Sequence, residues 1–232
     1  MLPAEEGRHL VGVLRLRVGD QVAVFDGRGR EFTAVVASIG RPGVSLALAE
    51  PRRPAPEPAV GISLAQVVLK GEMMDRVVRD VVMMGGSDIQ PVVSARAETS
   101  LAALRKARRV ERWQRIAVAS AKQCGRAVVP PVHDPVAIAT LLDEAAAGDG
   151  AVRLMLLEPS QPQGEPIRIL AGTPAPRAAV LLVGPEGGWA AAEVDRLASA
   201  GFRPLTLGPR TLRAEAAPIV ALALLRFIWG DL

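Results

Sequence analysis

The side chains best suited to chemistry lie in two glycine-bearing segments near the end of the sequence. They are VGPEGGW at 183–189, the first glycine loop, and LGPRTLRAEAA at 207–217, the second glycine loop. The second glycine loop carries Arg210 and Arg213, and arginine presents a planar fork of donors that suits phosphates and base edges. Glu186 and Glu215 are the neighbouring carboxylates. Because each lies at the start of a predicted helix, where exposed backbone donors favour a negative side chain, we interpret them as caps or loop braces rather than as proton acceptors.

Each glycine loop follows a predicted strand and precedes a predicted helix. The run AAVLLV before the first loop is typical of a strand buried on both faces, and AAAEVDRLASAG after it predicts a helix closed by Gly201. Residues 204–207 predict a short strand before the second loop, and residues 214–229 predict a core helix after it. Pro218 falls in or beside the first turn of that helix, where it removes no intrahelical hydrogen bond. This placement predicts a site built largely from backbone.

Several classes of chemistry lack the residues that they need. No GxxxxGK[ST] phosphate loop, GxGxxG dinucleotide loop or GxSxG nucleophile elbow occurs, so ATP, NAD and serine hydrolase chemistry have no support. The histidines are His9 and His133, and Cys124 is the single cysteine. These residues predict no zinc-type ligand cluster and no intrachain disulfide. We therefore expect a metal-free protein of a reducing cytoplasm.

The composition predicts a soluble globular protein. With 232 residues, 50% of them hydrophobic, the chain is long enough for one large domain or two small ones. The start, MLPAEEGRHL, has acidic residues where a signal peptide has basic and apolar regions, and the apolar runs are too short to span a membrane. Among 28 basic residues only Lys70, Lys106 and Lys122 are lysines. A GC-rich genome explains this arginine bias as well as a polyanionic partner does.

A proline-rich connector, PRRPAPEP at 51–58, divides the sequence into two parts. Before it, QVAVFDGRGREFTAVVASI predicts a hairpin that turns at residues 26–29, and VSLALAE predicts a third strand. Beyond it, strands alternate with helices: strands at 60–69, 89–93 and 152–157, and helices at 72–84, 101–124 and 136–147. Alternation predicts an α/β domain with a mainly parallel sheet. Ligands of such sheets lie at the carboxyl ends of the strands, where both glycine loops fall.

The two glycine loops, together with HLVGVLRLRVGDQVAVFDGRGREF and ERWQRIAVASAKQCGRAVVPPV, resemble the RsmE family of 16S ribosomal RNA uridine N3-methyltransferases of the SPOUT class. The resemblance covers nearly the whole chain. It implies a PUA-like RNA-binding β-barrel with a Pro-rich linker over residues 1–58, and a SPOUT α/β domain with a C-terminal trefoil knot over residues 59–232. It also implies a cytoplasmic enzyme that acts on 16S rRNA in the small ribosomal subunit, forms a homodimer through the knot domain and has no membrane partner.

The resemblance implies S-adenosylmethionine as the methyl donor, held in a bent shape by the knot. Glycines let the backbone approach an adenosine, and leucines of both loops supply apolar walls for the adenine. The residues expected to bind this cofactor are Leu182, Gly184, Pro185, Glu186, Gly187, Gly188, Leu207, Gly208, Arg210, Thr211, Leu212 and Arg213. Arg210 and Arg213 are also the expected catalytic residues, because guanidinium groups can stabilise the charge that spreads onto the uracil oxygens as N3 loses its proton.

Arginines recur at helical spacing within the predicted helix 101–124. Arg105, Arg108, Arg109, Arg112 and Arg115 are expected to form a continuous cationic stripe, with only Glu111 to offset it. A solvated helix face would produce the same pattern. The residues expected to bind RNA are Arg15, Arg17, Arg105, Arg108, Arg109, Arg112 and Arg126. Because the chain has no tyrosine, we expect phosphate contacts and shape readout rather than base stacking.

Some positions depart from the family's pattern. The usual threonine after LRxE is Ala216, the usual ELG reads MMG at 83–85, and a serine- or aspartate-bearing segment reads SAR at 94–96. The family's strand upstream of His9 is missing, so we expect either a barrel without one edge strand or a misassigned start of the sequence. Two alternatives to uridine N3 methylation therefore stay open. One is methylation of another RNA position, and the other is binding of RNA or the ribosome without catalysis.

Overall fold

In a computed structural model, the structure of the chain is described for residues 1–146 and 150–230. The chain divides into two compact units: Met1–Pro56 with Gly125–Val129, and Glu57–Cys124 with Pro130–Leu232. Both helices and strands are present, as the sequence predicts for a mixed α/β protein. No helix among the described residues is both long and apolar enough to cross a membrane.

The first unit begins with helix α1 (Ala4–Arg8), which continues into a π-helical turn (His9–Val13). The sheet that follows is antiparallel, with the order β1-β2-β3. Its strands are β1 (Gln21–Phe25), β2 (Glu31–Gly40) and β3 (Gly43–Arg52). A small core of Leu10, Val36 and Val44 lies against this sheet. The unit therefore contains the predicted hairpin and third strand, here as a three-stranded sheet.

The hairpin turn between β1 and β2 is held by Asp26. Its carboxylate accepts hydrogen bonds from the backbone N–H groups of Arg28 (2.8 Å) and Arg30 (3.1 Å) and from Nε of Arg30 (2.7 Å). These bonds lower the pKa of Asp26 to about 2, the side-chain bond from Arg30 contributing most. Gly27 (φ 75°) and Gly29 (φ 100°) supply the left-handed backbone that the turn needs. The turn is thus specified by the residue types that predicted it.

The second unit is built on a seven-stranded sheet of order β6-β5-β4-β9-β7-β10-β8, with every pairing parallel. Its strands are β4 (Gly61–Val67), β5 (Asp88–Val93), β6 (Val136–Ala137), β7 (Val152–Leu156), β8 (Glu165–Pro166), β9 (Ala178–Val183) and β10 (Arg203–Thr206). The central strands are buried on both faces, which explains their continuous apolar sequences. The alternating pattern therefore predicted the sheet correctly.

The helices of this unit are α2 (Met73–Met83), α3 (Leu101–Lys106), α4 (Arg109–Cys124), α5 (Ile138–Ala146), α6 (Ala191–Ser199) and α7 (Ala217–Ile228). A 3-10 turn covers Ile167–Leu170. Gly201 lies just beyond α6 with a φ of 85°, and Pro218 lies in the first turn of α7, both as predicted. Helix α7 begins at Ala217 rather than at residue 214, so residues 214–216 remain part of the second glycine loop.

The long helix predicted over 101–124 is wrong, because the chain breaks it into α3 and α4. Ser100 caps α3 by accepting a hydrogen bond from the Ala103 N–H (3.2 Å). Arg108 then adopts a φ of 49°, in the left-handed region that an α-helix cannot contain. The two helices consequently do not share one continuous face, and the single cationic stripe expected along 105–115 does not form.

The helix predicted over 136–147 is also partly wrong. Val136 and Ala137 form the short strand β6, which pairs with Val92 and Val93 of β5. Helix α5 starts only at Ile138. Residue 147, the predicted end of the helix, lies outside the described residues. A β-branched residue followed by alanine gives no local signal for this switch, because the pairing depends on a distant strand.

Candidate active site

Three loops meet where neighbouring parallel strands end. The first glycine loop follows β9, the second follows β10, and residues 157–159 follow β7, which lies between those two strands in the sheet. Carboxyl ends of parallel strands share one edge of a sheet, which is where ligands of α/β proteins bind. The order β9-β7-β10 therefore brings the two glycine loops together from either side of β7.

A cavity of about 380 Å³ lies among these loops. From the two glycine loops, the residues that line it include those named in the sequence analysis: Gly184, Pro185, Glu186, Gly188, Leu207, Arg210, Thr211, Leu212 and Arg213. Val183, Trp189, Ala214, Glu215 and Ala217 of the same loops also line it. The two loops are thus two walls of one cavity, large enough for a small organic ligand.

Three residues expected at the cofactor site do not line the cavity: Leu182, Gly187 and Gly208. Leu182 is fully buried in the core, with Trp189 and Val194 in the same cluster. Because successive side chains of a strand point to opposite faces, Val183 lines the cavity in its place. Gly208 has a φ of 117°, so its observed role is to allow the sharp turn after β10.

The structure adds lining residues that the sequence analysis missed. From outside the two glycine loops they are Met73, Leu156, Leu157, Glu158 and Pro159. Four of them follow or end β7, which the sequence predicts as a strand, but the position of β7 between β9 and β10 cannot be read from the sequence. Met73 opens α2, and nothing in its local sequence indicates that it reaches this cavity.

The first glycine loop fits closely around the ring of Trp189. That ring is 6% exposed, and its Nε1 donates a hydrogen bond to the carbonyl of Leu156 at the end of β7 (2.9 Å). A Cβ added to Gly184 would lie 2.9 Å from Cε2 and Nε1 of Trp189, closer than carbon atoms approach without displacement. Glycine is therefore required at 184 so that the tryptophan can lie beneath the loop.

Side chains and backbone from two other strand ends hold the same loop. Glu186 Oε1 accepts a hydrogen bond from the N–H of Lys70, which follows β4 (3.1 Å). Arg96, which follows β5, donates from Nη1 to the carbonyl of Gly187 (2.9 Å). The prediction that Glu186 braces a loop is confirmed by the first bond. The loop therefore has fixed partners on β4, β5 and β7.

The cap of the helix after this loop comes from Glu193. Its Oε2 accepts from the N–H of Ala190 (3.1 Å), and its Oε1 accepts from the N–H of Ala95 beyond β5 (2.8 Å). Glu193 is 7% exposed, and both carboxylate oxygens are occupied by these bonds. The start of α6 is thereby fixed to the loop after β5.

The second glycine loop is held far less. Residues 210–213 are exposed, and the guanidinium groups of Arg210 and Arg213 make no hydrogen bond or ion pair with any residue that the structure describes. A turn closes at the end of the loop, where the N–H groups of Ala216 (2.9 Å) and Ala217 (3.0 Å) donate to the carbonyl of Arg213. Glu215 makes no side-chain bond to the start of α7, so its predicted role as a helix cap is wrong.

The chemistry available in the cavity follows from these walls. Leu156, Leu157, Val183, Leu207 and Leu212 supply apolar surface for a heteroaromatic ring. The charged groups that line it are Glu158, Glu186, Arg210, Arg213 and Glu215. A ligand with a flat base, hydroxyl groups and both positive and negative charge would be complementary to this combination. The residues present therefore fit S-adenosylmethionine.

The arginines expected to bind RNA occupy separate positions. In the first unit, Arg15 and Arg17 are exposed in the segment before β1, and Arg15 has a φ of 56°. Arg126 is only 7% exposed, so it offers little surface to a polyanion. In the second unit, Arg105 and Arg108 are exposed and Arg109 is half-buried.

Arg112 has an internal role instead. Its Nε (2.9 Å) and Nη2 (2.5 Å) donate to Oδ2 of Asp75 on α2, and Trp113 Nε1 donates to Oδ1 of the same carboxylate (3.1 Å). Hydrogen bonding to Asp75 raises the pKa of Arg112 above its ordinary value. Asp75 is 4% exposed, so its buried charge needs this partner. Arg112 therefore joins α4 to α2.

Two family models match this chain. The RNA methyltransferase domain matches residues 56–226, and the RNA methyltransferase PUA domain matches residues 2–48. Among curated proteins, ribosomal RNA small subunit methyltransferase E of Bacillus subtilis is 30% identical over 229 residues, covering 97% of this chain and 89% of that protein. The protein of the same name from Synechocystis is 32% identical over 215 residues, covering 93% and 68%.

Solved structures show the same similarity over the whole chain. A ribosomal RNA small subunit methyltransferase E from Neisseria gonorrhoeae, bound to S-adenosyl methionine, has a TM-score of 0.87 and 32% identity, covering 98% of this chain and 91% of that one. A methyltransferase from Legionella pneumophila in complex with the bound cofactor SAM has a TM-score of 0.87 and 31% identity, covering 97% and 90%.

Proposed function

We infer that this chain, which belongs to the RsmE family of S-adenosylmethionine-dependent ribosomal RNA methyltransferases, methylates N3 of a uridine in the 16S rRNA of the small ribosomal subunit. One observation carries the inference: both glycine loops line a single cavity, and Arg210 and Arg213 stand in its wall. The apolar lining residues can contact the cofactor, and the two positively charged arginines can bind the nucleobase.

We propose that the lining residues of the first glycine loop and of residues 156–159 bind the adenosine. The apolar walls suit the adenine, and the backbone and carboxylates of this region suit the ribose hydroxyls. Leu182 and Gly187 shape this wall without lining the cavity, and Gly208 shapes the turn that begins the second glycine loop. When bound, S-adenosylmethionine supplies an electrophilic methyl group on a sulfonium ion. The protein's task is then to align a nitrogen with that methyl group.

Arg210 and Arg213 are proposed to receive the uracil. Their guanidinium groups are exposed and free of internal partners among the described residues, so both can donate to a carbonyl oxygen or a phosphate. As N3 loses its proton, negative charge spreads onto O2 and O4 of the ring. Once the uracil is bound, guanidinium donors directed at these oxygens stabilise this charge.

RNA binding is proposed to involve both units. Residues 1–58 would form the PUA-like barrel and linker, with Arg15 and Arg17 exposed for phosphate contacts. Residues 59–232 would form the SPOUT domain, in which Arg105, Arg108 and Arg109 contribute positive charge. Arg112 and Arg126 are weaker members of this set, the first because Asp75 holds it and the second because it is buried. Action on ribosomal RNA would place the enzyme in the cytoplasm.

The C-terminal segment is proposed to form a trefoil knot and to support a homodimer. Parallel strand β10 lies beside β7, although β8 and β9 separate the two in sequence, a crossover compatible with a threaded chain. Helix α7 leaves Phe227 74% exposed, which suits contact with a second copy. Formation of a dimer would bury apolar surface of α7.

The function is tested with the purified chain, labelled S-adenosylmethionine and small ribosomal subunits that lack the modification. The expected result is one labelled uridine, identified as 3-methyluridine by mass spectrometry and located by a reverse-transcription stop. A label on another nucleotide or atom would support methylation of another RNA position. Binding of subunits without transfer would support the non-catalytic alternative, for which Ala216 in place of the usual threonine is the motivating observation.

A further inference from the structure

The reaction at N3 requires a proton acceptor, and the cavity offers few side chains that can act as one. Its lining includes the carboxylates Glu158, Glu186 and Glu215, and none of its described lining residues is a histidine, lysine, tyrosine, cysteine or aspartate. Arginine remains protonated at any relevant pH, so Arg210 and Arg213 cannot take the proton. Among the described lining residues, the three glutamates are therefore the candidates for a base.

Two of the three lie beside the first glycine loop. Glu186 Oε1 accepts the hydrogen bond from Lys70 N–H, which turns this carboxylate toward the loop after β4. Glu158 lies over Gly188, where its Oε1 would be 3.1 Å from a Cβ added to that glycine. Both carboxylates thus stand on the side of the cavity that we assign to the adenosine.

Glu215 differs from both in its position, and unlike Glu186 its carboxylate has no hydrogen-bond partner among the described residues. It belongs to the second glycine loop and is half-buried. The turn in which Ala216 and Ala217 donate to the Arg213 carbonyl places Glu215 within the same turn as Arg213. Its carboxylate makes no hydrogen bond or ion pair with any residue in the described part of the chain. Both of its oxygens are therefore available to a substrate that the two arginines hold.

We propose that Glu215 is the general base of the methyl transfer. This proposal rests on the proposed function at uridine N3. The N3–H bond breaks, and its proton passes to the Glu215 carboxylate. The nitrogen lone pair forms the N–CH3 bond as the C–S bond breaks, and the electrons of that bond remain on sulfur. The products are 3-methyluridine, S-adenosylhomocysteine and a protonated Glu215, which then releases its proton to water.

The variant Glu215→Gln tests the proposal, because it keeps the size of the side chain and removes the basic oxygen. Single-turnover rates with unmodified small subunits are expected to fall by about 10²–10⁴-fold, the usual contribution of a positioned acid or base. Affinity for S-adenosylmethionine, measured by calorimetry, is expected to be retained. Asp195→Asn makes the same carboxylate-to-amide change on α6, outside this cavity, and is the matched control.

A readout specific to proton removal comes from the substrate. Small subunits whose 16S rRNA contains 5-fluorouridine present a more acidic N3, because fluorine withdraws electrons from the ring. These subunits are expected to restore much of the rate to Glu215→Gln while changing the wild-type rate little. The rate of the variant should also rise with pH in proportion to hydroxide. Glu215→Asp, which keeps a carboxylate, should lie between the wild type and Glu215→Gln.

The outcomes separate this proposal from the function on which it rests. A wild-type product other than 3-methyluridine overturns the proposed function and the base together. A 3-methyluridine product with an unimpaired Glu215→Gln overturns the base alone. Equal loss with uridine and with 5-fluorouridine, in a variant whose thermal unfolding is unchanged, assigns Glu215 a structural role and also overturns it. If Glu215→Gln unfolds, the comparison of the two substrates is made with Glu215→Asp.

Discussion

The two glycine loops line the same cavity but are built differently. The first glycine loop has fixed partners on three strand ends: Lys70 N–H on Glu186, Arg96 on the Gly187 carbonyl, and the Leu156 carbonyl under Trp189. In the second glycine loop, Arg210 and Arg213 are exposed and have no side-chain partner among the described residues. One wall is fixed before any ligand arrives, whereas the other presents free charges.

This difference indicates a division of work between the walls. A wall with its own hydrogen bonds costs little entropy when a ligand binds, so it favours affinity and a fixed ligand geometry. Free guanidinium groups are available to a second ligand, and they act where charge develops in the reaction. We therefore expect changes in the first loop to affect cofactor affinity and stability, and changes in the second loop to affect turnover.

Among the variants that compare the two loops, Arg210→Ala in the second loop is expected to have the largest effect. The variant should keep the fold and much of the affinity for S-adenosylmethionine, because the first loop and its partners are unchanged. Its kcat should fall by about 10²–10³-fold, the usual result of removing one donor that stabilises developing negative charge. Single-turnover methylation of small subunits and calorimetric titration with the cofactor measure the two quantities separately.

Arg168→Ala is the matched control, since Arg168 is an exposed arginine of the same unit that does not line the cavity. It should leave both kcat and cofactor affinity unchanged. Near-normal turnover of Arg210→Ala would remove its catalytic role. A loss of cofactor affinity as large as the loss of turnover would contradict the division of work between the loops.

The next largest effect is expected from Gly184→Ala in the first loop. The added methyl group would lie 2.9 Å from the Trp189 ring, so either the ring or the loop must move. Overpacking of this kind costs about 1–3 kcal/mol of stability. Displacement of the loop should also weaken binding of S-adenosylmethionine. Denaturant unfolding and calorimetric titration measure the two effects.

Gly187→Ala is the control within the same loop. A Cβ at this position would be 3.9 Å from the Cβ of Arg96, an ordinary contact, so its stability should stay within about 0.5 kcal/mol of the wild type. If Gly184→Ala is as stable as Gly187→Ala, the first loop is not the rigid wall described above.

The sequence predicted the parts of this site that local patterns encode. The strand before each glycine loop and the helix after it were predicted correctly. Buried strands have a local sequence signal, and so do Gly201, which closes a helix, and Pro218, which lies in the first turn of a helix. The family resemblance followed from the same two loops together with residues 9–32 and 111–132. These features depend on residues that are neighbours along the chain.

The features that the sequence did not predict depend on contacts between distant segments or on backbone geometry. Glu158 reaches the cavity only because β7 lies between β9 and β10 in the sheet. The sequence analysis placed Leu182, rather than Val183, at the cofactor. In a strand that is buried on both faces, every residue is apolar, so the sequence does not show which side chains point toward the cavity. The break at Arg108 has no proline or glycine to mark it.

The smallest effect is expected from Arg96→Gln. The guanidinium bond to the Gly187 carbonyl is exposed to solvent, so its loss should cost about 1 kcal/mol, or about fivefold in the Kd for S-adenosylmethionine. The change should appear in cofactor affinity and KM while kcat stays close to that of the wild type, because Arg210 and Arg213 are untouched. Calorimetry with the cofactor and steady-state methylation measure these quantities.

Arg168→Gln controls for the loss of an exposed charge, and Arg96→Lys tests whether a single donor at this position is enough to hold the loop. Recovery of affinity in Arg96→Lys would assign the effect to the hydrogen bond on Gly187 rather than to the shape of the guanidinium. A fall in kcat with unchanged affinity would mean that Arg96 acts in turnover. A residue that holds the first loop would then affect turnover rather than cofactor affinity. That result would contradict the proposed contrast between the two loops.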